Sequence, residues 1–184
     1  MSLFPTGYEQ PKSNSHYFKP LDGNNLVRIL SKPIMGWLDW KDTEDGKKSP
    51  VRTPYGDPKP QPLKSDKPVK HFWAFIIWDY TDKTIKIWEI TQSTIQDAIY
   101  TLDCDSDWGE PTEYDLSINR SGKDLDTKYN TLPKPKQPLN ADIVHEVKEG
   151  LPDMNELFTN GDPFAKKSVD EPVKEEINVK DIPF

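Results

Sequence analysis

The residues whose types and spacing could do chemistry concentrate in 69–90, VKHFWAFIIWDYTDKTIKIWEI. Read as two strands joined by a two- or four-residue turn at Thr81–Asp82, this segment sets Trp78 opposite Ile85 and Ile76 opposite Ile87. Phe72, Ala74, Ile76 and Trp78 then share one face with Ile85 and Ile87, an apolar set suited to a core. The other face carries His71, Trp73, Phe75 and Ile77 with Thr84, Lys86 and Trp88. Flat rings beside cations can hold unpaired bases, each stacked base contributing about 1–3 kcal/mol. Lys70, His71, Trp73, Phe75, Lys86 and Trp88 are therefore the candidate contacts of this hairpin. Two alternatives stand beside that reading. A three-residue turn moves one strand's set to the other face, and the N-terminal arm or the loop at 41–68 covers the rings.

The preceding stretch adds Arg28, Trp37 and Trp40. Arg28 alternates with Val27 and Ile29 and so points away from them, as a phosphate or base contact or as the partner of an acidic neighbour. Trp37 and Trp40 cannot share one face of a regular strand, so one of them is expected in the core; Trp37 is the candidate contact. Lys47, Lys48, Arg52, Lys59, Lys64 and Lys67 lie in 41–68, where cations can follow a phosphate chain and release its counterions, or serve only solubility. Arg120 and Lys123, at a later turn, have the same two readings. Catalytic chemistry finds no such support. There is no Gly-rich phosphate loop and no nucleophile elbow. Cys104 with His16, His71 and His145 lacks zinc-site spacing, and Asp124 and Asp126 suit a turn. We expect no catalytic residue, no metal and no cofactor.

The elements that must position these residues follow from alternation and turn chemistry. Residues 25–31 and 34–40 read as one long bent strand, interrupted by Pro33, with Gly36 at a bend or bulge. Residues 41–68 are polar and dotted with proline, and read as a flexible basic loop. Strands at 69–80 and 83–90 follow, then a helix over 92–103 with Thr91 as its N-cap, because Ile95, Ala98, Ile99 and Leu102 recur at helical spacing. Two more strands lie at 113–119 and 127–132. Residues 1–23 form an arm with a short strand near Tyr17–Phe18. Residues 136–184 are a linker and acidic tail, with short helices at 141–149 and 152–159 and disorder from 160 onward. The expected class is all-β. Five strands with a helix between the third and fourth (β1-β2-β3-α-β4-β5) make an OB-fold barrel over 24–135.

Composition bounds the partners. The net charge of −7 argues against a polyanion until it is divided along the chain. Residues 141–184 hold 11 Asp and Glu against 5 Lys, whereas 41–70 hold 8 Lys and Arg against 5 Asp and Glu. The acidity is a property of the C-terminal part. One cysteine excludes an internal disulfide and fits a reducing compartment. No signal peptide or membrane span is visible, so a cytoplasmic protein is expected.

The chain ends Asp181-Ile182-Pro183-Phe184 behind Glu171, Glu175 and Glu176. A terminal ring and carboxylate on an acidic tether suit a pocket with a basic rim. This DIPF ending resembles the C-terminal tip of bacterial single-stranded DNA-binding proteins, although Asn178 and Lys180 interrupt the acidic run. The body resembles phage-encoded single-stranded DNA-binding proteins through HFWAFIIWDY, IWEITQSTI, WGEPTEYDLSINRSG and LDTKY. The resemblance implies an OB barrel that coats single-stranded DNA in phage replication, recombination or repair, in the host cytoplasm. It also implies that Asp181, Ile182, Pro183 and Phe184 recruit replication or recombination proteins. A homo-oligomer is compatible with it. The alternative is a protein-interaction module that binds host replication or repair factors through the tip with little DNA affinity.

Overall fold

Runs that are apolar on both faces must be covered on both sides, and the computed structural model, which describes residues 15–165, is organised around one such run. That run is β4 (Lys70–Asp79), nearly all of it buried. It follows β1 (Gly23–Ile29), β2 (Ile34–Asp42) and β3 (Lys48–Pro54), and precedes β5 (Thr84–Ile90). Then come α1 (Ser93–Cys104), β6 (Tyr114–Ser121), β7 (Lys128–Lys136), α2 (Ala141–Glu149) and α3 (Glu156–Thr159).

The seven strands form one open antiparallel sheet, in the order β3-β2-β4-β1-β6-β7, with β5 on the other edge of β4. The β4–β5 register sets Trp78 against Ile85 and Ile76 against Ile87, as the alternation predicts. The opposite edge of β4 is shared. β2 pairs with its first half, Ile34 facing Ala74, and β1 with its second half, Ile29 facing Ile77. β1 and β2 therefore run as a single strand broken near Pro33. Across the break, Leu30 N–H donates to the Ile76 carbonyl (2.8 Å) and Ile76 N–H donates to Ser31 Oγ (2.9 Å), so the backbone stays satisfied.

Three expectations about this region change. The segment read as a loop contains β3, paired along β2 from Pro54 opposite Gly36 to Lys48 opposite Asp42. Its prolines, Pro50 and Pro54, are tolerated because β3 is an edge strand. Gly36 marks a close approach rather than a bulge: a Cβ there would lie 2.2 Å from the Thr53 carbonyl oxygen and 3.0 Å from the Phe72 ring. The N-cap of α1 is Gln92, not Thr91.

The sheet does not close into a five-stranded barrel among the described residues, since β5 and β7 are not paired. α1 lies against β7. The arm takes the free edge of β5, with Ile87 N–H donating to the His16 carbonyl (2.9 Å) and Phe18 N–H to the Ile87 carbonyl (2.8 Å). Phe18 enters the core beside it.

Two apolar layers result. On one face of the sheet, Val27, Ile29, Phe75, Ile77 and Trp88 pack with Ile95 and Ile99 of α1 and with Leu116 and Ile118. On the other, Phe72, Ala74, Ile76, Trp78, Ile85 and Ile87 are covered by Ile143 of α2, Met154 and Leu157. Residues 141–165, expected within a linker and tail, are thus partly a lid on the sheet. Asn140 caps α2 by accepting from Ile143 N–H (2.9 Å), which aims Ile143 at Phe72, Ile76 and their neighbours.

Candidate nucleic-acid interface

The face of β4 that carries His71, Trp73, Phe75 and Ile77 is not uniform. Its Ile77 end is sealed beneath α1 and the arm. Its His71 end lies beside β2, where Met35 opposes Trp73 and Trp37 opposes His71. Directly opposed residues of paired strands share a face, so these four side chains gather on one surface. Tyr55 joins them just past β3, its N–H donating to the Met35 carbonyl (3.0 Å).

The rings form a connected set. Trp37 stacks on Tyr55 with centroids 6.2 Å apart and planes 28° apart. His71 lies 5.2 Å from Trp37 and 5.5 Å from Tyr55. Trp73 stands edge-on to His71 at 6.5 Å and to Phe75 at 6.3 Å. Hydrogen bonds lock the imidazole. Trp73 Nε1–H donates to His71 Nε2 (3.0 Å), so the proton sits on Nδ1, which donates to the Gly36 carbonyl (2.9 Å). Lys59 Nζ lies over Trp37, 4.8 Å from its centroid. Tyr55 is 59% exposed, and Met35 is exposed beside it. Next to Trp73 opens a cleft of about 400 Å³, lined by Met35, Phe75, Ile99, Tyr100 and Pro111 and carrying Lys32, Asp103 and Glu110 as its charges. Tyr100 is 62% exposed at this cleft. The surface offers stacking faces and one cation held over a ring.

Several predicted contacts lie elsewhere. Trp88 and Phe75 are 1% and 4% exposed, and Trp88 meets Phe18 edge-on at 5.5 Å. α1 and the arm seal Trp88, and Phe75, although it lines the cleft beside Trp73, is buried too, so both rings pack as core residues. Arg28 is buried. It donates to Asp115 Oδ1 (3.1 Å), the Thr112 carbonyl (2.9 Å) and the Gln137 carbonyl (2.7 Å), so the acidic-neighbour reading is the one realised. Lys86 is buried against Asp79 (2.8 Å) and Asp82. Burial pulls its pKa down, but the bonds to Asp79 and Asp82 outweigh that, and the net shift is upward. Its charge is held by these two carboxylates. Arg52 bonds Glu89 (2.6 Å) and the Leu157 carbonyl (3.2 Å), tying β3 to β5 and α3.

Lys47, Lys48 and Lys70 are exposed. Lys70 alternates with His71 and so lies on the opposite face from it. Arg120 pairs with Asp22 (2.9 Å), and Lys123 is exposed. Neither Trp37 nor Trp40 is core: Trp37 is half-buried and Trp40 is 43% exposed. Asp181, Ile182, Pro183 and Phe184 lie outside the described residues. Of the hairpin candidates, His71 and Trp73 are brought together, with Trp37. Sequence reasoning missed Tyr55, Met35 and Tyr100. An aromatic residue standing alone in a proline-dotted polar stretch was the available signal for Tyr55.

Among the described residues, no group of three or more His, Cys, Asp or Glu side chains could hold a metal ion. No helix there is long and apolar enough to cross a membrane. No protein-family model matches this chain. No solved structure matches it. The chain is similar to a curated protein of Escherichia phage T5 described as a probable ssDNA-binding protein, at 27% identity over 111 residues. The aligned part covers 59% of this chain and 37% of that protein, so this chain spans little more than a third of the relative's length.

Proposed function

We propose that the protein binds single-stranded DNA with little sequence preference, stacking bases on the surface built by Trp37, Tyr55, His71 and Trp73. The observation that carries this reading is the connected ring set with Lys59 over Trp37, open to solvent through Tyr55. Stacking tolerates any base, because every base has a flat face. The similarity to a probable ssDNA-binding protein points the same way. We read the body as an opened variant of the OB arrangement: the broken strand β1–β2, then β4, β5, α1, β6 and β7, follow the order expected of that fold, with β3 inserted and the described sheet left open. The role is coating single strands in phage replication, recombination or repair, and the terminal Asp181–Phe184 tip recruits partner proteins. The binding is non-catalytic.

Fluorescence anisotropy of labelled oligo-dT tests it. Binding should be present at low salt and weaken steeply as salt rises. Tyr55→Ala and Trp73→Ala should each weaken it, while Trp88 variants should act only through folding. Absence of binding at low salt would refute the proposal. Deleting 181–184 should leave DNA binding intact or tighter and abolish capture of replication proteins.

A further inference from the structure

A second cluster of ring and cations lies on the far side of the β2–β3 hairpin. Alternation along β2 puts Trp40 on the face opposite Trp37. Around Trp40 is an open cup of about 220 Å³ lined by Lys48, Lys64 and Lys67. Its construction is specific. The hairpin turn is closed by Thr43 N–H to the Lys47 carbonyl (2.9 Å) and Gly46 N–H to the Thr43 carbonyl (2.9 Å), with Gly46 at φ 74°. This sets Lys48 opposite Asp42. The pairing of β2 with β4 ends at Leu38–Lys70, so the edge of β2 beside Trp40 is not occupied by β4. The buried Asp39 carboxylate ties the incoming chain there, accepting from Trp40 N–H (2.7 Å) and Leu63 N–H (2.7 Å). Lys64 follows directly, and a turn with Lys67 N–H donating to the Lys64 carbonyl (3.2 Å) presents both lysines.

Three lysines act here on the Asp42 carboxylate. Asp42 bonds Lys64 (2.5 Å), and Lys64, then Lys48 and Lys67, hold its carboxyl below the usual range. Asp39 and Asp66 act on Lys64 as well, but Lys48 and Lys67 form no ion pair among the described residues, and their ammonium groups stand beside an exposed indole. That combination suits one nucleotide of a single strand, its base on Trp40 and its phosphate among the lysines.

We infer that Trp40, Lys48, Lys64 and Lys67 form a second contact site for single-stranded DNA, so that a long strand passes around the end of the β2–β3 hairpin and is held on both of its faces. Asp42 occupies the phosphate position in the free protein and is displaced from Lys64 on binding. This inference rests on the proposed DNA-binding reading and extends the path beyond the Trp37–Trp73 surface.

The test compares two labelled oligo-dT probes on the full chain. One is about 6 nucleotides and fills a single platform; the other is about 20 and reaches both faces, given modules that span about 4–16 nucleotides. Trp40→Ala combined with Lys48→Ala, Lys64→Ala and Lys67→Ala should weaken the long probe by about tenfold or more and leave the short one within about twofold. The slope of log affinity against log salt for the long probe should shrink by about 2, from three phosphates at roughly 0.7 each. Asp42→Asn should tighten the long probe by up to about fivefold. All these side chains are at the surface, and circular dichroism with a thermal melt confirms that the variants fold. If Tyr55→Ala and Trp73→Ala weaken both probes but the cup variant shows no length-dependent loss and no change in slope, the second site is overturned and the first stands. If the wild-type chain binds neither probe, the DNA-binding reading itself fails and the second site with it.

Discussion

The two ends of one strand face behave differently. Along β4, His71 and Trp73 alternate with the same period as Phe75 and Ile77, and all four point to one side of the sheet. At the Ile77 end that side meets α1, Phe18 and Trp88, and water is excluded. At the His71 end it meets β2, Tyr55 and Lys59, with Ile99 and Tyr100 of α1 lining an open cleft beside Trp73, and the rings stay half-open. Residue type does not separate the ends, since each has a tryptophan. What separates them is where α1 and the arm cross. The open end adds something the sealed end lacks: a hydrogen-bond chain, Trp73 to His71 to the Gly36 carbonyl, that fixes ring orientation without burial.

The contrast is most exposed at the sealed end. Trp88→Ala should lower folding stability by about 3–5 kcal/mol, as for large core rings, measured by chemical denaturation. A variant that folds normally but loses DNA affinity would mean the ring is in fact accessible. Arg28→Ala should cost about 3 kcal/mol, near the lower end for a broken buried pair, because Asp115 keeps the Tyr80 hydroxyl (3.0 Å) and the Gln137 amide. A phosphate-binding Arg28 would instead leave stability unchanged and reduce the salt slope.

The open end should show the reverse pattern. Trp73→Ala or Tyr55→Ala should weaken oligo-dT binding by about 1–3 kcal/mol each, read by titration. For Tyr55, which is mostly exposed, the accompanying loss of stability should be within about 0.5 kcal/mol. A larger stability loss than binding loss would make the ring set a structural cluster.

The smallest effect is alkaline. Burial, then the bond to Asp115, pushes the Tyr80 hydroxyl up to about 12, and burial, then Asp103, does the same for Tyr114. Both favour the neutral phenol in the folded chain, whereas unfolded tyrosine ionises near pH 10. Their contribution is therefore complete below pH 10 and lost as pH climbs towards 12. Lys86, with its pKa raised by Asp79 and Asp82, loses its contribution in the same direction as it deprotonates. The melting temperature should fall over this range, and Tyr80→Phe with Tyr114→Phe should flatten the decline. An unchanged slope in the double variant would exclude the two phenols as its source.

Much of the scaffold was legible in the chain. The β4–β5 register follows from alternation around a turn that Lys83 closes with φ 51°. The helix after β5 follows from Ile95 and Ile99 at helical spacing. β3 was not legible, because Pro50 and Pro54 mimic a loop and only the pairing partner reveals an edge strand. The lid from α2 and α3 was half-legible. Phe72, Ala74, Ile76 and Trp78 required a cover, but nothing local named Ile143 and Leu157 as that cover.

The candidate site divides in the same way. By itself the sequence determined that a hairpin would carry rings on both faces, that the acidic charge would collect near the C-terminus, and that Arg28 would point away from Val27 and Ile29. Each of these depends on neighbours a few residues apart. Only the tertiary structure decided which rings meet solvent, since burial depends on segments distant in sequence. Residues 16–18 and α1 close one end, and Tyr55 with Lys59 builds the other.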